Sequence, residues 1–233
     1  MSDAQQRRRQ QIAWRAAQDF FEGAYVNLGV GIPTEAVRHV PAGREVIFHS
    51  ENGILGVAGI APDNAINRNL VNASQQFITV QIGAAYFDCC ESFAMLRGRH
   101  VDIAFLGGYE ISEAGDLASW DRRKVGVPPA VGGAMDIAIG ARAIWVGMEH
   151  CTADGRPRLV REVSLPLTGA RVVSRVYTDL AVIDVGPQGG TVREIHPGIT
   201  MRHLREVTQW RLAEATDLRS MPQRDACAAG AQA

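Results

Sequence analysis

Glu51 stands at the end of the apolar run Val46-Ile47-Phe48-His49-Ser50 and is followed at once by Asn52 and Gly53. That order suits a strand that ends in a carboxylate, with a small amide and a glycine leaving backbone N–H groups uncovered beside it. A carboxylate held there can act as a nucleophile toward a carbonyl carbon. The amides of Asn52 and Gly53 are then candidate donors for the oxyanion that develops. The ordinary alternative for a lone glutamate is a helix cap or a solvated surface position.

Other groups able to do chemistry read differently. His49 reads as a packed strand histidine rather than a base. Glu149-His150 ends a second apolar run, and a hydrogen-bonding role near a site fits it better than direct chemistry. Asp136, just after Gly132-Gly133, reads as a cap or salt-bridge partner. Gly29-Val30-Gly31 is half of a dinucleotide fingerprint, but Thr34 stands where the third glycine belongs. It reads instead as a turn that lets a ligand or a neighbouring chain approach the backbone. The histidines lack HxH, HxxH and HExxH spacing, so no zinc site is expected. Cys89, Cys90, Cys151 and Cys227 form no CxxC pair and read as reduced thiols.

The elements that must position Glu51 follow from periodicity. An amphipathic helix is expected over 7–22, with Ile12, Ala16 and Phe20 on one stripe and Gly23 ending it. Strands are expected over 25–28, 46–49, 78–82, 101–106 and 143–148. Helices are expected from Pro33 to about residue 40, from the capping residue Asp88 to Gly98, and over 134–141. Residues 57–77 and 109–132 read as loops. Shorter strands over 159–163, 172–176, 180–185 and 191–195 suggest a meander, with a closing helix over 199–208. The alternation argues for an α/β fold with a mostly parallel sheet covered on both faces. Ligands of such sheets bind beyond the carboxyl ends of the strands, where Gly29/Gly31, Gly53/Gly56 and Gly107/Gly108 all fall. One domain over 1–215 and a flexible tail over 216–233 are expected.

The 233 residues carry a formal net charge of −1, so electrostatics imply neither a nucleic-acid nor an acidic-membrane partner. Arg7-Arg8-Arg9 is not followed by an apolar signal region, and no run is long enough to span a bilayer, so a cytoplasmic protein is expected.

The chain resembles the B subunits of the class I (3-oxoacid) CoA-transferases, the group that includes 3-oxoadipate and succinyl-CoA:3-ketoacid CoA-transferases. The resemblance rests on Tyr25-Val26-Asn27-Leu28-Gly29-Val30-Gly31-Ile32-Pro33, Ser50-Glu51-Asn52-Gly53-Ile54-Leu55-Gly56 and Ser92-Phe93-Ala94-Met95-Leu96-Arg97-Gly98. It continues through Gly115-Asp116-Leu117-Ala118, Gly132-Gly133-Ala134-Met135-Asp136, Met148-Glu149-His150 and Leu165-Pro166-Leu167-Thr168-Gly169. It implies a three-layer Rossmann-like sheet of the CoA-transferase type, a fold shared with sugar-phosphate isomerases. It implies Glu51 as nucleophile, forming a glutamyl-CoA thioester, with Gly29, Gly31, Gly132 and Gly133 near substrate or CoA. Coenzyme A is then a substrate, and no permanently bound cofactor or metal is needed. The partners implied are a separate chain serving as the A subunit, an acyl-CoA and a carboxylic acid, in a hetero-oligomer. Two stretches depart from the family pattern. Ser74-Gln75 stand where Gly-Lys is usual, and the 120–131 loop lacks the usual Pro-Gly-Lys. A dicarboxylate substrate wants a basic partner, for which Arg122, Arg123 and Lys124 are the candidates. A hydrolase or decarboxylase on the same fold is the competing chemistry. A transcription regulator would need a basic DNA-reading domain that this sequence lacks.

Overall fold

The computed structural model describes residues 2–123, 126 and 128–224. Lys124 and the expected tail beyond residue 224 therefore lie outside the described residues. Helix α1 (Asp3–Gln18) is capped by Ser2, whose Oγ accepts from the Gln5 N–H. Its Ile12, Ala13, Ala16 and Ala17 are buried, as their spacing on one helical stripe dictates. Strand β1 (Ala24–Leu28) leads through Gly29 and Gly31 into a single helical turn, α2 (Ile32–Glu35), with Pro33 at its start. A 3-10 turn (Ala36–His39) extends it. Strand β2 (Val46–Ser50) ends at Glu51, and β3 (Ile54–Ile60) and β4 (Ile78–Tyr86) return antiparallel. Then come α3 (Cys89–Arg97), β5 (Ile103–Leu106), β6 (Glu110–Ser112), β7 (Leu117–Ala118), α4 (Ala134–Gly140), β8 (Ala143–Gly147) and β9 (Leu159–Val160). The chain finishes with β10 (Val173–Tyr177), β11 (Ala181–Gly186), β12 (Gly189–Ile195), α5 (Met201–Glu206) and β13 (Leu212–Ser220).

The main sheet runs β13-β12-β11-β10-β8-β5-β1-β2-β3-β4. Its centre, from β2 through β1, β5 and β8 to β10, is parallel. The period-2 alternation of β5 shows why the sheet is covered twice. Ile103 and Phe105 pack with Phe20 and the α1 stripe, while Ala104 and Leu106 pack with Leu96 of α3 and Ile137 of α4. This is the expected α/β architecture, with antiparallel pairing of β10, β11 and β12 toward the C-terminus.

Three expectations need correction. Residues 57–60 are not loop but the second half of β3, where Gly56 and Gly59 at φ +93° and +158° accompany register shifts against β4 and hide the strand alternation. The 109–132 stretch is not wholly irregular. Its β6 and β7 join β9 in a three-stranded sheet whose members are too short to show a period. Residues 216–220, expected in the tail, belong to β13, which pairs in parallel with β12. As a solvated edge strand with only Ala215 buried, β13 carries no hydrophobic signature.

Two contacts lock this frame. Arg15 of α1, 4% exposed, donates from Nε and Nη2 to both oxygens of Glu194 on β12, 1% exposed, at 2.6 and 2.7 Å. Arg219 of β13 also donates to Glu194, at 2.8 Å. At the other end, the Gly53 N–H donates to Ser50 O at 3.0 Å and the Phe87 N–H donates to Gly53 O at 3.1 Å. Gly53 adopts φ +113°, and a Cβ there would sit 2.0 Å from Phe87 O. Arg15→Ala leaves Glu194 buried with one partner fewer, and should lower unfolding free energy by about 3 kcal/mol. Arg15→Met with Glu194→Leu should recover most of it. Gly53→Ala should cost about 2–4 kcal/mol, from strain plus backbone collision. Urea unfolding midpoints at constant m-value measure all three.

Candidate active site

The parallel strands end together at one edge of the sheet. The Gly29 N–H donates to Phe105 O at 2.8 Å, so the turns after β1 and β5 lie side by side. A Cβ on Gly29 would press on Leu106, and Gly31 at φ +95° turns the chain into α2. Glu51 occupies the next turn along, after β2, and is partly buried.

Because side chains alternate along a strand, His49 and Glu51 project to the same side of β2. Asn27 lies opposite His49 in the parallel register with β1. Its Nδ2 is 3.2 Å from Glu51 Oε2 and 3.1 Å from His49 Nδ1. His49 Nε2 in turn is 2.9 Å from Ser92 Oγ on α3. Asn27, His49 and Ser92 are all buried, and burial pushes the His49 pKa down to about 4, so the ring is neutral. Among the described residues the buried Asn27 Oδ1 has no hydrogen-bond partner. An orphaned acceptor of this kind costs about 1–3 kcal/mol.

The residues flanking Glu51 are tied to one further segment. Asn52 Nδ2 donates to Val71 O at 2.8 Å, and Ser50 Oγ accepts from the Ala73 N–H at 3.0 Å. That segment is a tight turn in which Asn72 Oδ1 accepts from the amides of Ser74 and Gln76, and Gln75 takes φ +60° at its tip. Ser74-Gln75 therefore belong to the turn that grips the glutamate turn.

Of the residues singled out from sequence, Glu51, Asn52 and Gly53 share one turn, with Gly29 and Gly31 at the end of the adjacent strand. The Gly53 N–H donates to Ser50 O and closes the turn. Among the described residues the Asn52 backbone N–H has no hydrogen-bond partner. Gly133 caps α4, and a Cβ on it would strike the Phe93 ring of α3. Gly132 sits at φ +51° in open space. Gly133 thus packs against α3, the helix whose Ser92 meets His49. Asp136 pairs with Arg97 at 2.8 Å, a salt-bridge partner as read from sequence. His150 is buried between Thr178 and Thr208, its pKa pushed down to about 4 by burial and by His203. Glu149 lies 4.0 Å from Arg158 and from Arg8. Arg122 rests on the Tyr109 ring, 4.3 Å from its centroid, and Arg123 is exposed. Among the described residues no group of histidine, cysteine, aspartate or glutamate side chains is arranged to hold a metal ion. Sequence reasoning assigned no role to Asn27 or Ser92. The available signal was a polar amide inside the apolar run Tyr25-Val26-Asn27-Leu28, which a buried strand tolerates only with partners.

A family model described as coenzyme A transferase matches residues 9–206. The chain is 46% identical over 200 residues to the B subunit of 3-oxoadipate CoA-transferase from Pseudomonas putida, covering 86% of this chain and 93% of that protein. It is 42% identical over 201 residues to the B subunit of succinyl-CoA:3-ketoacid coenzyme A transferase from Helicobacter pylori, covering 86% and 96%. Among solved structures, the acyl-CoA transferase YdiF apoenzyme of Escherichia coli O157:H7 shares the fold, with a TM-score of 0.73 at 20% identity. The match covers 92% of this chain but only 43% of that longer one. A glutamate turn at the carboxyl edge of a parallel sheet is thus the setting, and the extent of the match makes the conclusion plain: this chain belongs to the coenzyme A transferase family.

Proposed function

We propose that this chain is the B subunit of a two-subunit CoA-transferase. It moves CoA from an acyl-CoA, with succinyl-CoA the preferred donor, to a 3-oxo acid such as 3-oxoadipate or acetoacetate. Glu51 is its nucleophile. The observation that carries this reading is the Glu51 carboxylate on a glycine turn at the strand ends, held at one oxygen by the Asn27 amide 3.2 Å away. The names of the relatives supply the donor, the acceptor and the need for a second, complementary chain.

The free Glu51 oxygen adds to the acyl-CoA carbonyl carbon, and the C–S bond breaks. A mixed anhydride and CoA thiolate result. The thiolate attacks the Glu51 carbonyl of the anhydride, releasing the first acid as its carboxylate and leaving CoA as a thioester on Glu51. A second carboxylate attacks that thioester, and the same steps run backward to a new acyl-CoA. A carboxylate is a weak nucleophile toward a thioester, so orientation must supply much of the rate, up to about 7–11 kcal/mol for well-aligned groups. The Asn52 N–H is the backbone donor available for the oxyanion. The glycine turns at Gly29/Gly31 and Gly132/Gly133 offer bare backbone to CoA or to the complementary chain. The long CoA body, remote from the reacting carbon, contributes binding energy that can be realised in the transition states. The free thiols Cys89, Cys90 and Cys151 suit the reducing cytoplasm, where we place the reaction.

Exposure of the two-subunit enzyme to acyl-CoA, then borohydride reduction and peptide mass spectrometry, should find the adduct on residue 51. Glu51→Gln should fold normally, form no adduct and lose about 10⁴-fold in kcat. Unchanged turnover in that variant, or CoA released to water rather than to the second acid, would reject the proposal.

A further inference from the structure

We infer that His49 and Ser92 are positioning residues that set the orientation of the Asn27 amide, so that its N–H rather than its carbonyl faces Glu51. The inference deepens the reading above and rests on Glu51 being the nucleophile.

A primary amide presents oxygen and nitrogen faces of nearly equal size, and packing alone does not choose between them. Here the nitrogen reaches three acceptors: Glu51 Oε2 at 3.2 Å, His49 Nδ1 at 3.1 Å and, at 3.4 Å, the His49 carbonyl oxygen. An Nδ1–H would aim its proton at an amide nitrogen that cannot accept it, so Nδ1 carries a lone pair. The ring proton then sits on Nε2, where Ser92 Oγ, 2.9 Å away, accepts it. Ser92 is fully buried on α3, and the His49 ring plane is held by Phe87, stacked at an interplanar angle of 11° with centroids 6.2 Å apart. The imidazole is therefore neutral and confined to one tautomer.

The orphaned Asn27 Oδ1 shows what this arrangement sacrifices. Turning the amide over would aim that oxygen at a carboxylate and at an imidazole lone pair, which is worse. An apolar residue would fill the space without any unsatisfied atom. A buried polar group that stays underbonded is a reason to look for a functional role. The role here is to clamp one Glu51 oxygen while the other faces the incoming carbonyl.

The test uses the two-subunit enzyme with succinyl-CoA and acetoacetate. Asn27→Asp, nearly isosteric, replaces the donor by an oxygen. It should lower kcat about 100-fold while the KM for succinyl-CoA stays within about twofold. Its kcat–pH profile should gain a rising limb displaced to higher pH, since two adjacent carboxylates resist joint ionisation. Ser92→Ala should lower kcat about tenfold, and Ser92→Thr, which keeps the hydroxyl, should restore most of it. Nitrogen-15 spectra of histidine-labelled wild-type enzyme, with His49→Gln for assignment, should show a protonated Nε2 and a bare Nδ1 at neutral pH. A proton on Nδ1 overturns the inference whatever the variants do. So does wild-type kcat in Asn27→Asp and Ser92→Ala while Glu51→Gln is inactive, a result that leaves the nucleophile assignment standing. Activity in Glu51→Gln would instead remove the reading on which both rest.

Discussion

Where the polypeptide turns from β2 into β3, the Gly53 backbone runs against the carbonyl oxygen of Phe87 at a distance no side chain permits. Much else follows from that approach. The preceding parallel strand, β1, feeds a helical turn, but β2 doubles back into β3 and β4. The reversal leaves Glu51 forward at the strand end. It also brings β4 home beside Gly53, so that Phe87 and the Asp88 cap start α3 at the same edge. Ser92, one turn into that helix, then meets His49. The glutamate, the helix behind it and the buried polar chain between them all descend from one close backbone contact.

The two faces of the sheet treat charge differently. The α1 face holds full charges in pairs: Arg15 with Glu194 and Asp19, and Arg175 with Asp184. On the α3 face, where the Arg97–Asp136 pair is solvent-exposed, the buried polar groups behind Glu51 are neutral: an amide, an uncharged imidazole and a hydroxyl. A buried cation beside Glu51 would hold it firmly, yet would stabilise the carboxylate against attack in the nucleophile role proposed for it. A neutral amide can orient the oxygen with far less of that penalty. The difference in polarity between the faces suits that proposed role, in which the carboxylate must be aimed without being pacified.

Much of this organisation was legible in the sequence. The parallel core was readable because its strands are buried on both faces and its helices carry clean stripes, as Ile12 and Ala16 do on α1. The glutamate turn was readable because Ser-Glu-Asn-Gly compresses a polar end and a glycine into a few residues. Elements lacking a period were not readable: β3 with its positive-φ glycines, the short β6 and β7, and the solvated edge β13. The hydrogen bonding of the Gly53 N–H was not readable either, because it depends on the turn that this group closes, and only geometry reveals that Ser50 O takes it. Asn27 and Ser92 are distant from Glu51 in sequence, and nothing local announces that they meet.

Ser50 and Asn52 bracket the carboxylate, and each grips the 71–74 backbone, one by accepting from Ala73 and the other by donating to Val71. That turn is therefore a tiller. A shift of its tip, Ser74-Gln75, reaches the Glu51 turn through the two side chains that flank the carboxylate. Changes there can re-aim the glutamate with no substitution in the Ser50–Gly53 stretch itself.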